Sequence, residues 1–321
     1  MKLANRVVVT GGAGFIGSNL VDRLLAEGYA VDVVDDLSTG SLLNLHEART
    51  QGEGKFSFFQ ASVVGDEFQE IISVRQPKCI FHLAAQADVR KSMADPVYDA
   101  EVNLLGSIRV LDAARTNSVQ KVIYAASGGT LYGELPTRLD CFAESDRGEL
   151  PDSFYGISKA LVLDYLDGYR KAFDLEYSAL ALGNVYGPRQ DPNGEAGVVS
   201  IFFSKMRQGQ PTTIFGDGTQ TRDFVFVDDV VDAFVRALDS GGGLVMNVGA
   251  NVSTSILELH KVQSELSNYT KEPTFAPARS GELMHSRLDN TLARVHLGWQ
   301  PWTSLEDGLT KTLAYFKATL G

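Results

Sequence analysis

The sequence has few cysteines and no excess of basic residues, and both shortages narrow what the protein can be. Only Cys79 and Cys141 occur, in separate segments and without metal-ligand spacing, so neither a disulfide framework nor a zinc site is predicted. The five histidines also lack ligand spacing, and we expect no metal cofactor. The formal net charge of -11 argues against nucleic acid or an anionic membrane as the main partner, because both bind basic patches.

Long apolar runs are missing as well. No run reaches the roughly 18 apolar residues of a membrane helix, and the opening MKLANRVVVT lacks the features of a signal peptide. We therefore expect a soluble, cytoplasmic protein. With 321 residues, of which 44% are hydrophobic and 21% charged, the chain can bury an extensive core.

Short apolar segments alternate with stretches of helical periodicity through the first half. The strand-like segments are RVVVT, AVDVVD, FSFFQ, KCIFHLA, KVIYAAS and EYSALAL, and the clearest helical ones are IGSNLVDRLLAEG and AEVNLLGSIRVLDAARTN. This alternation predicts an α/β fold with a doubly wound parallel sheet of the Rossmann type.

A glycine-rich turn follows the first predicted strand. In VVVTGGAGFIGSNL, the pattern GxGxxG falls on Gly12, Gly14 and Gly17, and the pattern GxxGxxG falls on Gly11, Gly14 and Gly17. Glycines here permit a tight turn and let backbone N–H groups at the start of a helix approach a pyrophosphate. The sequence therefore predicts a dinucleotide-binding loop.

An acidic residue at the end of the second strand indicates which dinucleotide binds. Asp35 lies where a carboxylate accepts hydrogen bonds from the adenosine ribose hydroxyls. No Lys or Arg occurs from Asp35 to Leu45, so a 2′-phosphate would meet Asp35 and Asp36 without a compensating cation. We predict NAD rather than NADP.

The second half changes in composition after about Gly187, with more Gly, Pro and loop residues. We predict an NAD-binding Rossmann domain over residues 1–187, rejoined by residues 222–250. A smaller mixed α/β substrate domain is predicted over residues 188–321. In the returning segment DFVFVDDVVDAF, Asp228 is expected to cap a helix.

The stretch FYGISK places Tyr155 one helical turn before Lys159. A phenol with an ordinary pKa of about 10 is a poor base at neutral pH, so a catalytic tyrosine needs a nearby positive charge. Lys159 can supply that charge. The same spacing occurs by chance in many helices, so the pair alone leaves a purely structural role open.

Three motifs in order, TGGAGFIG, SGGTLYGE and YGISK, resemble the extended short-chain dehydrogenase/reductase superfamily. Within it, the chain most resembles bacterial UDP-glucose 4-epimerases. The resemblance implies that Ser127, Tyr155 and Lys159 are catalytic, with Ser127 holding or relaying the proton of the reacting hydroxyl. It further implies oxidation at C4 of a UDP-sugar by bound NAD, followed by return of the hydride to the opposite face.

By resemblance, the cofactor contacts lie in the glycine loop, at the ends of the next three strands, in the predicted helix over residues 100–117 and in the catalytic helix. They are Gly11, Gly14, Phe15, Ile16, Gly17, Asp35, Asp36, Ser38, Thr39, Gly40, Ser62, Val63, Leu83, Ala84, Ala85, Gln86, Asn103, Tyr155 and Lys159. Ser62 departs from the family, which commonly has an Asp there for the adenine amine. We therefore expect weaker NAD binding than is usual.

The resemblance also implies a nucleotide-sugar pocket. Its residues would be Gln86, Ser127, Asn184, Val198, Val199, Thr213, Phe215, Arg222, Arg279 and Glu282. Asn184, Arg222 and Arg279 would bind the diphosphate. Val198, Val199, Thr213 and Phe215 would line the uracil site, and Glu282 would hold the uridine ribose.

The residues after Ser127 narrow the reaction. Dehydratases and decarboxylases of the superfamily carry acidic residues there, whereas this chain has Gly128, Gly129 and Thr130. Epimerisation of UDP-galactose and UDP-glucose is the leading hypothesis. A UDP-N-acetylhexosamine 4-epimerase, for which a small Ser286 would leave room, or another nucleotide-sugar epimerase or dehydratase is the alternative. A non-catalytic NAD-binding regulatory protein is a third possibility.

Two helical segments carry apolar residues on more than one face. They are KALVLDYLDGYRKAF and AEVNLLGSIRVLDAA. A helix buried on one side by its own sheet does not need a second apolar stripe. By resemblance, these segments pair with those of a second copy, and we predict a homodimer with a four-helix interface.

Overall fold

The structure is a computed structural model, and it describes residues 5–52, 54–134, 140–147, 151–192, 197–279 and 283–319. The strands are β1 (Arg6–Thr10), β2 (Ala30–Asp35), β3 (Phe56–Gln60), β4 (Cys79–His82), β5 (Lys121–Ser127), β6 (Glu176–Leu182), β7 (Asn184–Tyr186), β8 (Thr213–Phe215), β9 (Thr221–Arg222), β10 (Phe224–Phe226), β11 (Leu244–Val248), β12 (Thr254–Ser255) and β13 (Thr274–Ala276).

Helices connect most of these strands. They are α1 (Phe15–Ala26), α2 (His46–Gln51), α3 (Asp66–Arg75), α4 (Val89–Ala94), α5 (Pro96–Asp99), α6 (Gly106–Thr116), α7 (Gly128–Leu131), α8 (Phe154–Phe173), α9 (Val198–Arg207), α10 (Val227–Arg236), α11 (Ile256–Ser267), α12 (Thr291–Leu297) and α13 (Leu305–Thr319). Short 3-10 turns occur at Leu42–Leu45 and Glu144–Asp146, and Ala100–Leu105 is π-helical. None of the described helices is long and apolar enough to span a bilayer.

A seven-stranded parallel sheet forms the centre of the molecule, in the order β11-β6-β5-β4-β1-β2-β3. Strands β1 to β6 are arranged in the order 3-2-1-4-5-6, which is the strand order of a doubly wound Rossmann sheet. The predicted fold class is therefore confirmed. The strand order reverses between β1 and β4. A crevice opens at such a switch point beyond the carboxyl ends of the strands, and ligands bind there.

The two faces of the sheet bury separate hydrophobic cores because successive strand residues point to opposite sides. Val7 and Val9 of β1 pack with Leu20 and Leu24 of α1 on one face. Val8, between them, belongs to the core on the other face, which contains residues of α3, α6 and α8. Both faces being covered explains why the strands read as continuous apolar runs.

The predicted helix over residues 100–117 has an interruption in its regular geometry. Residues Ala100–Leu105 form a π-helical turn before α6 begins at Gly106. π-helical turns are rare and occur often at functional sites. This one carries Asn103, a residue predicted to bind the cofactor.

The later part of the chain adds short strand pairs and one further strand of the main sheet. β10 pairs with β7, β12 with β9, and β13 with β8, while β11 lies at the edge beside β6. The prediction that Asp228 caps α10 is wrong, because β10 runs directly into the helix and Phe226 occupies the N-cap. Asp228 instead lies in the first turn, where its charge favours the helix dipole. The domain boundary near residue 187 stays a prediction.

Candidate active site

The glycine turn between β1 and α1 is shaped by close backbone contacts. Gly11 has a φ of 67°, and a Cβ there would lie 2.7 Å from the backbone nitrogen of Ala84. A Cβ on Gly17 would collide with the carbonyl oxygen of Gly11. Gly14 is the N-cap of α1, and no side chain caps this helix end. The turn thus leaves the helix N-terminus open to an anionic group at the crevice.

Asp35 ends β2 beside this turn and is 7% exposed. Its carboxylate accepts hydrogen bonds from the N–H groups of Ala13 (2.9 Å) and Leu37 (2.8 Å). Burial raises the pKa of Asp35, and these hydrogen bonds oppose that rise. Since a carboxylate has about four acceptor positions, Asp35 can still accept a ribose hydroxyl.

The loop after Asp35 folds back over this carboxylate. A Cβ on Gly40 would lie 2.9 Å from Oδ1 of Asp35 and 3.0 Å from Cβ of Ala13. Ser38 and Thr39 belong to the same loop. A cleft of about 640 Å³ lies beside β3, the edge strand of the sheet. It is lined by Asp36, Phe58, Phe59, Gln60, Ala61, Ser62, Glu67 and Ile71. A pyrophosphate at α1 and a ribose at Asp35 would direct the adenine of a dinucleotide toward this cleft.

The remaining predicted cofactor residues lie at the same end of the sheet. Val63 follows β3 and is buried, while the segment from Leu83 to Gln86 follows β4. Phe15 and Ile16 open α1. NAD fits three features of this site. They are the open N-terminus of α1, the glycines packed against neighbouring backbone atoms, and the acidic residue at the end of β2.

Tyr155 and Lys159 lie on consecutive turns at the start of α8. The hydroxyl of Ser153 caps the helix by accepting a hydrogen bond from the N–H of Gly156. Tyr155 is half-buried, whereas Lys159 is 3% exposed. Nζ of Lys159 lies 5.9 Å from the centroid of the Tyr155 ring. The predicted pair is therefore brought together around a buried ammonium group.

The surroundings of Lys159 determine its protonation. Its ammonium donates to the carbonyl oxygen of Ala125 (3.0 Å) and lies 4.7 Å from the centroid of the Tyr124 ring. Burial lowers the pKa of Lys159 to about 8, although the carboxylate of Asp99 opposes the change. The side chain is still mainly a cation at neutral pH.

Ser127 ends β5 and is the N-cap of the short helix α7. This helix packs against the start of α8, because a Cβ on Gly156 would lie 3.1 Å from the carbonyl oxygen of Thr130. Ser127 is half-buried. The Oγ1 atom of Thr130 is buried and has no hydrogen-bond partner among the described residues. Two hydroxyl side chains thus lie in the segment that packs beside Tyr155.

A buried chain of hydrogen bonds, which the sequence did not predict, supports this end of the sheet. The hydroxyl of Ser107 donates to the carbonyl oxygen of Asn103 (2.5 Å), so it accepts from Nε2–H of His82 (2.9 Å). Nδ1 of His82 then accepts from the hydroxyl of Thr10 (2.8 Å), which accepts from the N–H of Ala84 (3.2 Å). Burial lowers the pKa of His82 to about 3, so the ring is neutral.

A second network, also missed, joins Gln86, Asn103, Asp99 and Ser158. The backbone N–H of Gln86 donates to Oδ1 of Asn103, and the amide of Asn103 donates to the carbonyl oxygen of Gln86, both at 2.8 Å. Asp99 accepts from the side chains of Gln86, Asn103 and Ser158. Asp99 and Ser158 are 59 positions apart in the chain, so local sequence patterns carry no signal for this contact.

The predicted substrate residues are distributed over the later strands and loops. Asn184 begins β7 and its N–H donates to the carbonyl oxygen of Asp223 (2.7 Å). Arg222 lies in β9 and donates to the carbonyl oxygen of Thr221 (2.8 Å). The guanidinium carbon of Arg279 lies 3.9 Å from the centroid of the Phe215 ring. Two residues predicted to bind different parts of a nucleotide therefore touch each other.

Other residues predicted to bind the substrate lie at the start of α9 and in β8. Val198 and Val199 begin α9, but the side chain of Val199 is 1% exposed in the core and cannot line an open pocket. Its carbonyl oxygen accepts from Nε2 of Gln263. Thr213 lies in β8 and is half-buried. Glu282 lies outside the described residues.

The fold, the glycine turn and the tyrosine-lysine pair together define a dinucleotide-dependent enzyme of the extended short-chain dehydrogenase/reductase type. The NAD dependent epimerase/dehydratase family matches residues 7–249. The chain belongs to that family, and NAD is its cofactor.

Comparison with known proteins is more specific. The chain is 49% identical over 313 residues to a UDP-glucose 4-epimerase of Mycolicibacterium smegmatis, covering 97% of this chain and 98% of the relative. The structure of a Thermotoga maritima UDP-glucose 4-epimerase with UDP-glucose has a TM-score of 0.94 and 42% identity, and the match covers 98% of this chain and 100% of that one. A Thermus thermophilus UDP-glucose 4-epimerase in complex with NAD has a TM-score of 0.89 and 38% identity, with coverage of 98% and 99%.

Proposed function

We propose that this protein catalyses the reversible C4 epimerisation of UDP-galactose and UDP-glucose through a 4-keto sugar, with NAD retained at the site. The observation that carries this proposal is that the half-buried Tyr155 lies beside the buried ammonium of Lys159. In a separate segment, at the end of β5, Ser127 is followed by glycines. The named relatives support the same reaction.

In this reaction Tyr155 takes the proton from the O4 hydroxyl of the sugar. The cation of Lys159 stabilises the phenolate that accepts it, and the hydroxyl of Ser127 orients O4 and shares its proton. NAD, held by the glycine turn and Asp35, would supply the acceptor and later the donor of the hydride at C4. Tyr155 gives the proton back to O4 once C4 has the opposite configuration.

Epimerisation requires that the sugar rotate and present its other face while the nucleotide stays bound. Asn184, Arg222 and Arg279 would hold the diphosphate, because guanidinium and amide groups form strong hydrogen bonds to phosphate oxygens. The 4-keto sugar then rotates about its link to the phosphate and presents its other face. Loose contacts to the sugar and firm contacts to the diphosphate serve this step.

The local chemistry disfavours elimination. Dehydration needs an acid or base beside the sugar, but Gly128, Gly129 and Thr130 offer no carboxylate. The next carboxylate along this segment, Glu134, accepts hydrogen bonds from the N–H groups of Met284 (2.7 Å) and His285 (3.0 Å). It therefore holds a loop in place.

The alternatives raised by the sequence gain no support from the described residues. Ser286, which suggested room for an N-acetyl group, is 4% exposed and so does not border open space. A non-catalytic NAD-binding protein would not need Tyr155 and Lys159, and this chain retains both. Both cysteines are free thiols, as is usual in the reducing cytoplasm, where we place the reaction.

The partner proposed for this enzyme is a second copy of itself. Val97, Leu105, Leu161 and Tyr165 are 75%, 52%, 38% and 42% exposed. They lie on α5, the π-helical turn and α8, which pack against one another. Apolar side chains on neighbouring helices suit a four-helix interface, and we propose that they form one in a homodimer.

The function is tested by incubating the purified protein with UDP-galactose without added NAD. The expected result is formation of UDP-glucose by the wild type, and formation at least about 10²-fold slower by a Tyr155→Phe variant. If added NAD is needed in every turnover, NAD is not retained and the proposed cycle is wrong. If NAD is present but neither hexose is converted, the proposed substrate is wrong.

A further inference from the structure

Asp223 lies between β9 and β10, and its side chain is completely buried, with 0% exposure. Its carboxylate accepts hydrogen bonds from three backbone N–H groups. Oδ1 accepts from Ala250 (2.7 Å), and Oδ2 accepts from Asn251 (3.2 Å) and Leu288 (3.0 Å). Burial raises the pKa of Asp223 to about 6, and these hydrogen bonds oppose the rise, so the group is mainly ionised at neutral pH. Because a buried N–H that loses its acceptor is costly, Asp223 fixes the backbone of two separate loops.

The space for this carboxylate lies at the carboxyl ends of β6 and β11. Gly183 follows β6 and Gly249 follows β11. A Cβ on Gly249 would lie 2.5 Å from Oδ2 of Asp223, and a Cβ on Gly183 would lie 2.9 Å from the carbonyl oxygen of Asp223. Ligands bind beyond the carboxyl ends of the strands in such a sheet. Asp223 is therefore anchored at the end of the sheet that holds the candidate site.

Two residues proposed to bind the diphosphate are direct neighbours of Asp223. Arg222 precedes it in the chain and lies in β9. Asn184 donates its backbone N–H to the carbonyl oxygen of Asp223 (2.7 Å), next to the paired strands β7 and β10. The position of Asp223 therefore sets the position of both residues.

Two hydrogen bonds tie the backbone on either side of Arg222 to the loop before α12. The N–H of Thr221 donates to the carbonyl oxygen of Met284 (2.8 Å), and the N–H of Leu288 donates to the carboxylate of Asp223 (3.0 Å). The first of these bonds joins two backbone groups, whereas the second depends on the Asp223 side chain. Loss of that side chain would release one of the two ties.

We propose that Asp223 is a positioning residue for nucleotide binding, which holds Arg222 and Asn184 where they contact the diphosphate. It does not touch the substrate, because its side chain is completely buried. The inference rests on the proposed function in one respect, namely that Arg222 and Asn184 bind the diphosphate of a UDP-sugar. Removal of the carboxylate should therefore weaken nucleotide binding, while the reaction at saturating substrate should change much less.

The first test compares Asp223→Asn with Asp229→Asn in the NAD-loaded enzyme. In Asp223→Asn one acceptor oxygen becomes an NH₂ group, which cannot accept from a backbone N–H. Asp229 of α10 is equally buried, but it accepts from the N–H and hydroxyl of Thr303, which is not predicted to bind substrate. We expect Asp223→Asn to raise the Kd of UDP, measured by calorimetry, and the KM of UDP-galactose by about tenfold, and to change kcat by less than about threefold. Asp229→Asn should lower the unfolding temperature and keep the wild-type Kd and KM.

A second pair of variants disturbs the same carboxylate without removing its charge. Gly249→Ala places a Cβ against Oδ2 of Asp223, whereas Gly168→Ala places one where no atom outside the adjacent backbone of its own helix lies within 4 Å. We expect Gly249→Ala to raise the Kd of UDP by about tenfold, and Gly168→Ala to leave it unchanged. This comparison decides the inference even if Asp223→Asn fails to fold.

The inference is overturned if Asp223→Asn or Gly249→Ala binds UDP with wild-type affinity, or if Asp223→Asn and Asp229→Asn lose affinity equally. Equal losses would mean that any buried carboxylate has the same effect through stability alone. A wild-type protein that binds UDP but converts neither hexose would count against the proposed reaction alone, because the affinities for UDP do not depend on catalysis.

Discussion

The ammonium of Lys159 lies 5.9 Å from the centroid of the Tyr155 ring, one turn further along the same helix. A cation at that position favours a negative oxygen on the tyrosine, because opposite charges interact strongly where burial excludes water. The hydrogen bond from Lys159 to the carbonyl oxygen of Ala125 fixes the side chain against β5. The pair therefore has the properties of a base and its electrostatic support.

Removal of the Tyr155 hydroxyl should abolish most activity without loss of the cofactor. We expect Tyr155→Phe to lower kcat by about 10²- to 10⁴-fold, the usual contribution of a general base. NAD content, read from the absorbance of the released dinucleotide, should stay at the wild-type level. Tyr165→Phe, on an exposed part of the same helix, is the matched control and should keep full activity.

The pH dependence of kcat should reflect Lys159. Burial lowers the pKa of Lys159 to about 8, so the ammonium is lost as the pH rises through 8 and kcat should fall there. Lys159→Met should have low activity and no alkaline limb at that pH. Lys171→Met, which removes an exposed lysine of the same helix, should keep the wild-type limb. If Lys159→Met keeps the alkaline limb, the limb is due to the titration of another group.

Arg279 should contribute to binding rather than to chemistry. We expect Arg279→Ala to raise KM for UDP-galactose and the inhibition constant of UDP by about 10- to 100-fold, because a charge-assisted hydrogen bond is worth about 1.5–3 kcal/mol. The value of kcat should change much less. Arg294→Ala, on the exposed face of α12, serves as the control. Equal losses in both variants would indicate a general charge effect.

Substitution of Ser62, which borders the cleft beyond β3, should strengthen NAD binding at the adenine end of the cofactor site. We expect Ser62→Asp to slow the release of NAD by about fivefold, because a carboxylate accepts a stronger hydrogen bond from the adenine amine than a hydroxyl does. The release of nicotinamide hypoxanthine dinucleotide, which lacks that amine, should not slow. A similar gain for both dinucleotides would place the amine elsewhere.

The apolar surface of α5, the π-helical turn and α8 should hold two copies together. We expect wild-type protein to sediment as a dimer and the variant with Leu105→Glu and Leu161→Glu to sediment as a monomer, since charges would be buried in the interface. Val295→Glu changes an exposed apolar residue of α12 and should remain dimeric. A monomeric wild type would refute the proposed interface.

The sheet could be predicted from the sequence because most of its strands are buried on both faces. β1, β2, β3, β5 and β6 have the bounds that their apolar runs indicated, and β4 is shorter by its flanking residues. The predictions at Asp228 and Val199 failed for local reasons. A strand runs directly into α10 without an exposed cap, and the side chain of Val199 points into the core.

The proximity of Tyr155 and Lys159 was predictable because the two residues lie one turn apart on the same helix. The network around Asp99 was not, since its members come from separate segments and meet only after folding. The π-helical turn that carries Asn103 escaped prediction for a related reason: periodicity over residues 100–117 indicates a helix and cannot distinguish its hydrogen-bond pattern.

Oxidation at C4 and return of the same hydride by retained NAD can be followed with UDP-galactose that carries deuterium at C4. Mass spectrometry and NMR of the product formed without added NAD would follow the label. We expect UDP-glucose with deuterium still at C4, because the hydride never leaves the site. Loss of deuterium to solvent, or product with the label at another carbon, would refute the proposed cycle.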